Sequence, residues 1–217
     1  MKIKFWGVRG SLPATSSLDQ NKEHIQNVLK SFIRAGFKSE ADIQTFFDSR
    51  SISEICGYGQ NTTCVQVRDG SSHLLIDGGS GLKVYGDHML KHHPERNQHH
   101  ILMSHFHYDH IMGLPFFSQH FIPGQEIHYY AVQPDCEKVI RSLFMRPLFP
   151  LNYENLSAKI HFHTIQPYVK NQINGFEVSA YRLDHPDPCY GFRVEKNGKV
   201  YAHAVDHEAE RMVPADL

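Results

Sequence analysis

The sequence is short of several things that would mark out its class. Its formal net charge is −1 at neutral pH and its isoelectric point is about 7.0. No broad field of one sign therefore draws nucleic acid, an anionic membrane or an acidic partner, and an anionic substrate has to be held by local charges or by a metal. The four cysteines, Cys56, Cys64, Cys136 and Cys189, show no CxxC spacing and read as reduced thiols. No apolar run reaches the length of a membrane span. The segment Met1–Gly7 lacks the apolar stretch of a secretory leader, and a cytoplasmic location without membrane contact is the expectation. Repeats, low-complexity tracts and linker-like boundaries are missing too. The 217 residues are expected to form a single domain, residues 1–217.

Histidine is the residue in excess, at 17. The pairs His92-His93 and His99-His100 flank a polar stretch and read as surface residues. Such richness raises the chance of any histidine motif, so spacing and neighbours have to decide which ones carry chemistry.

The chain pattern is β-rich with interleaved helices. Residues Lys2–Val8 alternate around Ile3, Phe5 and Val8 as a strand does, and Arg9-Gly10-Ser11-Leu12-Pro13 reads as a turn. From about residue 16 to 50 the period becomes helical. Ile25, Val28, Leu29, Phe32 and Ile33 fall at three-and-four spacing, and a second short helix starts at Ser39 with Asp42 three residues on. This pair reads as an insertion packed on the body, covering core, with a substrate lid as the alternative. Thr62–Arg68 and His73–Asp77 around Asp69-Gly70 predict a hairpin. Helices are expected at Leu82–His92, Ile111–Phe117 and Asp135–Phe144. Strands are expected at His100–Ser104, Glu126–Val132, Lys159–His163, Phe176–Asp184, Gly191–Lys196 and Val200–Val205.

The run His105-Phe106-His107-Tyr108-Asp109-His110 follows one of these strands directly. Two histidines separated by one residue at a strand end can point the same way, while Asp109 and His110, just beyond, can reach a second ion. Imidazole and carboxylate suit zinc or another divalent first-row metal, and the spacing fits two adjacent ions better than one. This motif resembles the metal-binding signature of the metallo-β-lactamase superfamily. Phe5–Pro13, Gly59–Cys64, Ile76–Gly81 and Ser104–Pro115, in that order, resemble its branch of tRNase Z-like and cyclic-nucleotide phosphodiesterase-like proteins.

The resemblance implies an α+β fold of four αββα layers. It implies that His105, His107 and His185 bind one metal, that Asp109 and His110 bind a second, and that Asp206 bridges both. Asp77 would orient the metal-binding loop from behind, and Asp109 would also be the catalytic residue. The cofactors expected are two divalent ions, zinc first, with manganese or iron as alternatives. The activity expected is hydrolysis of a nucleotide or small phosphodiester by a metal-bound hydroxide. An ester, thioester or lactone hydrolase of the same fold is the alternative, and so is a shortened metal-binding relative with little turnover. Nucleic acid is the weaker substrate candidate, and a homodimer is among the expected assemblies. In the family pattern a further strand–helix section after the bridging Asp brings one more metal-binding His. Residues 208–217 contain none, so the fold is expected without its last strand–helix section, the second metal one ligand short, and a helix beginning at Pro214.

Overall fold

Side-chain alternation on successive strands decides where the two cores lie. The computed structural model describes residues 1–51, 54–55 and 59–208. Its strands in chain order are β1 (Lys2–Gly7), β2 (Cys64–Asp69), β3 (Ser72–Ile76), β4 (Gln98–Leu102), β5 (Glu126–Ala131), β6 (Lys159–Thr164), β7 (Asn171–Ile173), β8 (Phe176–Leu183), β9 (Cys189–Lys196) and β10 (Lys199–His203). The first six form one sheet in sequence order, and the last four form a second in the order β10-β9-β8-β7. Strands β1 to β3 run antiparallel, β3 to β6 run parallel, and the second sheet is antiparallel throughout.

On β2, β3 and β4, the side chains of Val65, Val67, Leu74, Ile76 and Leu102 enter a core shared with Phe176, Val178, Phe192 and Val194 of the second sheet. Their neighbours Cys64, Leu75 and Ile101 point the other way, into a core with Leu82, Tyr85, Met89, Phe117 and Ile140. A strand with both faces buried loses its polar alternation, which is why Leu74, Leu75 and Ile76 follow one another without a break at the end of β3. The helices are α1 (Leu18–Arg34), α2 (Ile43–Asp48), α3 (Gly81–His92), α4 (Tyr108–Ile111) and α5 (Cys136–Leu143). Of these, α3, α4 and α5 supply the helical side of the second core, giving helices, sheet and sheet in that order.

Three sequence expectations are corrected. The pair α1 and α2 does not cover the body's core: no residue of α1 is buried, and Phe32, Phe37 and Phe46 pack on one another with ring centroids 5.3–5.7 Å apart. The amphipathic spacing is real, but the second helix covers only part of its apolar stripe, through Phe32 on Phe46, and leaves Ile25, Leu29 and Ile33 exposed. The helix expected at Ile111–Phe117 instead begins at Tyr108 and ends at Ile111, followed by short 3₁₀ turns, because Gly113 and Pro115 interrupt it. Finally, His99 and His100 are 0% and 8% exposed. His99 is buried against the Tyr85 hydroxyl at 3.0 Å and the Gln125 side chain at 3.1 Å. The helix expected from Pro214 lies outside the described residues. Among those described, no helix is long and apolar enough to cross a membrane.

Candidate metal centre

The site gathers where strands end. Asp77 follows β3, His105 and His107 lie in the loop after β4, His185 follows β8 and Asp206 follows β10; crevices beyond the carboxyl ends of parallel strands are where such sheets place ligands. Two of these strand-end carboxylates sit on left-handed backbone, Asp77 at φ 65° and Asp206 at φ 51°. Asp tolerates that conformation better than most residues, and non-glycine residues held there cluster at functional sites.

Asp77 is fully buried and organises everything around it. Its Oδ1 accepts from the Ser104 N–H at 2.8 Å and its Oδ2 from the Ser104 hydroxyl at 2.9 Å. The same Oδ2 accepts from His110 Nδ1 at 2.8 Å. Because the Ser104 proton points at Asp77, the Ser104 oxygen is left to accept from His105 Nδ1, 3.1 Å away. Both Nδ1 atoms are thereby donors, and both Nε2 atoms turn into the site. A partner that fixes the tautomer in this way is the usual support of a metal-binding imidazole. His107 is set similarly: its Nε2 donates to Asp187 at 2.7 Å, and its Nδ1 faces His185 Nε2 at 3.1 Å.

Two groups of ligand-capable atoms result. His105, His107, His185 and Asp206 offer atoms all within 4.8 Å of one another, and Asp109, His110 and Asp206 do the same. The one residue in both is Asp206, whose Oδ2 is 3.4 Å from His105 Nε2 and 3.3 Å from His110 Nε2; His110 Nε2 is 3.5 Å from Asp109 Oδ2. Two ligands on one tetrahedral zinc at about 2.0–2.1 Å stand about 3.3 Å apart. The separations here have that size. His105 is 1% exposed, and its Nε2 is buried with no hydrogen-bond partner, which is costly for a polar atom unless a further group completes it. The donor set and this orphaned nitrogen both fit a divalent ion. All six residues that the sequence nominated as ligands are brought together, with Asp77 directly behind them.

The electrostatics agree. Burial would lower the His110 pKa, but Asp77 and Asp206 beside it raise it to about 10, so its proton holds the place of a metal's charge. The adjoining His105 and His110 imidazoles pull Asp206 far below the ordinary carboxylate range, against burial. Cys189 Sγ lies 3.6 Å from His105 Nδ1, but burial, then Asp77 and Asp206, push its thiol up to about 12, leaving it a neutral and poor ligand. Asp109 is anchored from the first loop, where the Ser11 N–H donates to its Oδ2 at 2.9 Å. Beside it opens a cleft of about 460 Å³, lined among others by Phe5, Val8, Arg9, Tyr201 and His203.

Sequence reasoning passed over Ser104, Ser11 and Asp187. Ser104 directly precedes the motif and Asp187 lies two residues after His185, so adjacency was the available signal. Nothing local in the sequence ties Ser11 to a residue 98 positions away. A second group, Glu126, His128 and His161, also brings ligand-capable atoms within 4.8 Å. There the imidazoles stack across β4, β5 and β6 and have partners, as in His128 Nδ1 to His163 Nε2 at 3.1 Å. The buried orphan nitrogen belongs to the strand-end site alone of the two groups.

Comparison with known proteins gives the following. A family model described as "Beta-lactamase superfamily domain" matches residues 73–217. Ribonuclease Z of Staphylococcus carnosus is 30% identical over 134 residues, 58% of this chain and 40% of that protein. Ribonuclease Z of Staphylococcus saprophyticus is 30% identical over 138 residues, 60% of this chain and 42% of that protein. The chain thus spans about two fifths of the length of the curated relatives it matches. The crystal structure of human tRNase Z, short form, is similar with a TM-score of 0.53 over 93% of this chain and 68% of that one. At 17% identity this last likeness is one of fold.

Proposed function

Because the chain belongs to the beta-lactamase superfamily, we propose that it is a metal-dependent phosphodiesterase working through a pair of divalent ions, zinc in the first instance. His105, His107 and His185 would hold one ion, Asp109 and His110 the other, and Asp206 both. The observation that carries this reading is the shared position of Asp206 in two otherwise separate ligand groups. A divalent pair supplies the Lewis acidity that brings water towards deprotonation near neutrality and offsets charge on a phosphoryl group under attack. Phosphodiester hydrolysis needs that help, since its transition state spreads negative charge over non-bridging oxygens.

The chain's own residues do the rest. Asp109, fixed by the Ser11 N–H, aligns the attacking water and accepts its proton at a carboxylate oxygen. Arg9 brings a guanidinium to the cleft, where a phosphate oxygen would lie. Asp77 and Ser104 keep the lone pairs of His105 and His110 aimed inwards. The cleft's 460 Å³ falls in the ordinary range for small-ligand sites and suits a nucleotide-sized phosphodiester. The RNA-processing names of the relatives favour a nucleotide over other phosphodiesters.

The test is turnover of bis-p-nitrophenyl phosphate with zinc or manganese. Asp109→Ala is expected to abolish it, by a factor of about 10² or more, with an unchanged circular dichroism spectrum. Undiminished turnover in that variant would remove Asp109 from its role. Faster hydrolysis of a matched carboxylic ester than of the phosphodiester would overturn the substrate class.

A further inference from the structure

We propose that the helical side of the β1 edge carries a second anion site, built for a phosphate group and separate from the metal centre. Side chains alternate along β1. Phe5 and Gly7 face the cleft beside Asp109, whereas Lys2, Lys4 and Trp6 turn to the opposite face. There they line a different cavity, of about 170 Å³, together with Arg68, His88 and Arg96.

This cavity concentrates the positive charge of two lysines and two arginines, and the carboxylate nearest its lining, Glu95, lies against His93. In the β1/β2 register Lys2 stands directly opposite Arg68, and like charges in such a pair are destabilising. Among the described residues, none of Lys2, Lys4, Arg68 or Arg96 forms an ion pair with a carboxylate. Arg96 Nη1 is buried with no hydrogen-bond partner, and an unsatisfied guanidinium N–H is expensive to keep. Lys4 Nζ lies 3.6 Å from the centre of the Trp6 ring, which keeps the ammonium at the cavity wall rather than free in water. The indole is itself fixed, its Nε1 donating to Gln66 Oε1 at 3.3 Å. Burial and the Arg68 charge lower the Lys4 pKa; burial and Lys4 lead the causes that lower that of His88.

Four cations around a small cavity, in a chain whose net charge is −1, are complementary to a compact, multiply charged anion. The planar fork of Arg96 with flanking ammonium groups matches phosphate oxygens. The phosphate can come from a free anion or from the backbone of a phosphodiester strand. The inference does not depend on the function proposed for the metal centre, because no residue of this cavity belongs to it.

Trp6 is the chain's one tryptophan and reports directly on the site. Titration of the metal-loaded chain with pyrophosphate at constant ionic strength is expected to give a saturable change in Trp6 fluorescence. His105→Ala, run in parallel, separates this from anion taken up at the metal centre and should leave the change intact. Lys4→Gln and Arg96→Gln should each weaken binding about tenfold. A second titration, with a short single-stranded oligonucleotide, distinguishes the sources. Tighter saturation than by pyrophosphate assigns the site to a strand backbone, and weaker or equal saturation assigns it to a free anion. No saturable change with either probe would overturn the proposal. So would a change that Lys4→Gln and Arg96→Gln leave undiminished, or one lost with His105→Ala.

Discussion

Asp77 shows how much of the centre hangs on one proton. Its carboxylate takes the Ser104 hydroxyl and His110 Nδ1 together, and so decides which nitrogen of His105 and of His110 carries the lone pair. Asp77→Asn keeps the shape and an acceptor for the Ser104 N–H but sets an amide N–H₂ against one of the other two donors. If His110 gives way, its proton moves to Nε2, the atom that faces Asp206 at 3.3 Å. Metal affinity is expected to fall about 10–100-fold, with a smaller change in folding stability, about 1–3 kcal/mol. Competition with a chromophoric chelator measures the first and urea unfolding the second. Unaltered metal affinity would show that Asp77 serves the loop's fold and not the ligands. The sequence carried the candidate ligands of His105–His110 through their spacing and their place at a strand end, while His185 and Asp206 came from the family resemblance. It did not carry the proton pathway behind them, because Ser104 and Asp77 meet only after β3 and β4 pair in parallel.

At the scale of elements, local chemistry was legible wherever a segment's partner lies close by in sequence. The hairpin turns at Gly70 with φ 62°, and the turn at Ser39 is capped by hydrogen bonds from Ser39 to Asp42 Oδ2 at 2.9 Å. Helix α4 was misplaced because its end is set by a distant contact. Gly113 N–H donates to Gly78 O at 2.9 Å, and a Cβ on Gly113 would lie 1.9 Å from Gly79 O, so two loops fix where the helix must end. The short β7 was not foreseen at all; its three residues are too few for alternation to register. Helices α1 and α2 yield a sharper expectation. The chain leaves and re-enters the body at one point, where Ala14 N–H donates to Gln60 O at 2.7 Å, and α1 buries nothing. Replacing residues 15–58 by a short Gly/Ser linker should leave the body's melting temperature within about 4 °C of the parent, the shift that a change of about 1 kcal/mol produces in a domain of this size. A much larger fall in a thermal melt would mean that the helices pack on the body after all.

Over the whole molecule, the surplus of histidine has a consequence that the metal centre does not explain. Burial lowers the pKa of His99 and of His120 to about 3. Both are inaccessible to solvent and bonded to tyrosine hydroxyls, His99 to Tyr85 at 3.0 Å and His120 to Tyr129 at 2.8 Å. His73 and His100 are lowered to about 4, again chiefly by burial. Each folded-state pKa lies below the unfolded value of about 6.5. Above that pH neither state binds the proton and stability is unaffected. As the pH falls below it, the unfolded chain takes up a proton that the folded chain refuses, so stability is lost towards acid. The slope is about 1.4 kcal/mol per pH unit for each group until its folded pKa is reached. Between pH 6.5 and 5 that amounts to about 2 kcal/mol per histidine, a large share of the roughly 5–15 kcal/mol that holds a domain together. His120→Gln isolates the effect, because the amide can still meet the Tyr129 hydroxyl but cannot titrate. Urea unfolding at pH 7 and pH 5 should show the variant losing about 2 kcal/mol less than the parent, with any acid release of metal common to both. Equal losses in the two proteins would mean that His120 is protonated inside the fold, which its Phe117 and Phe144 neighbours and full burial argue against.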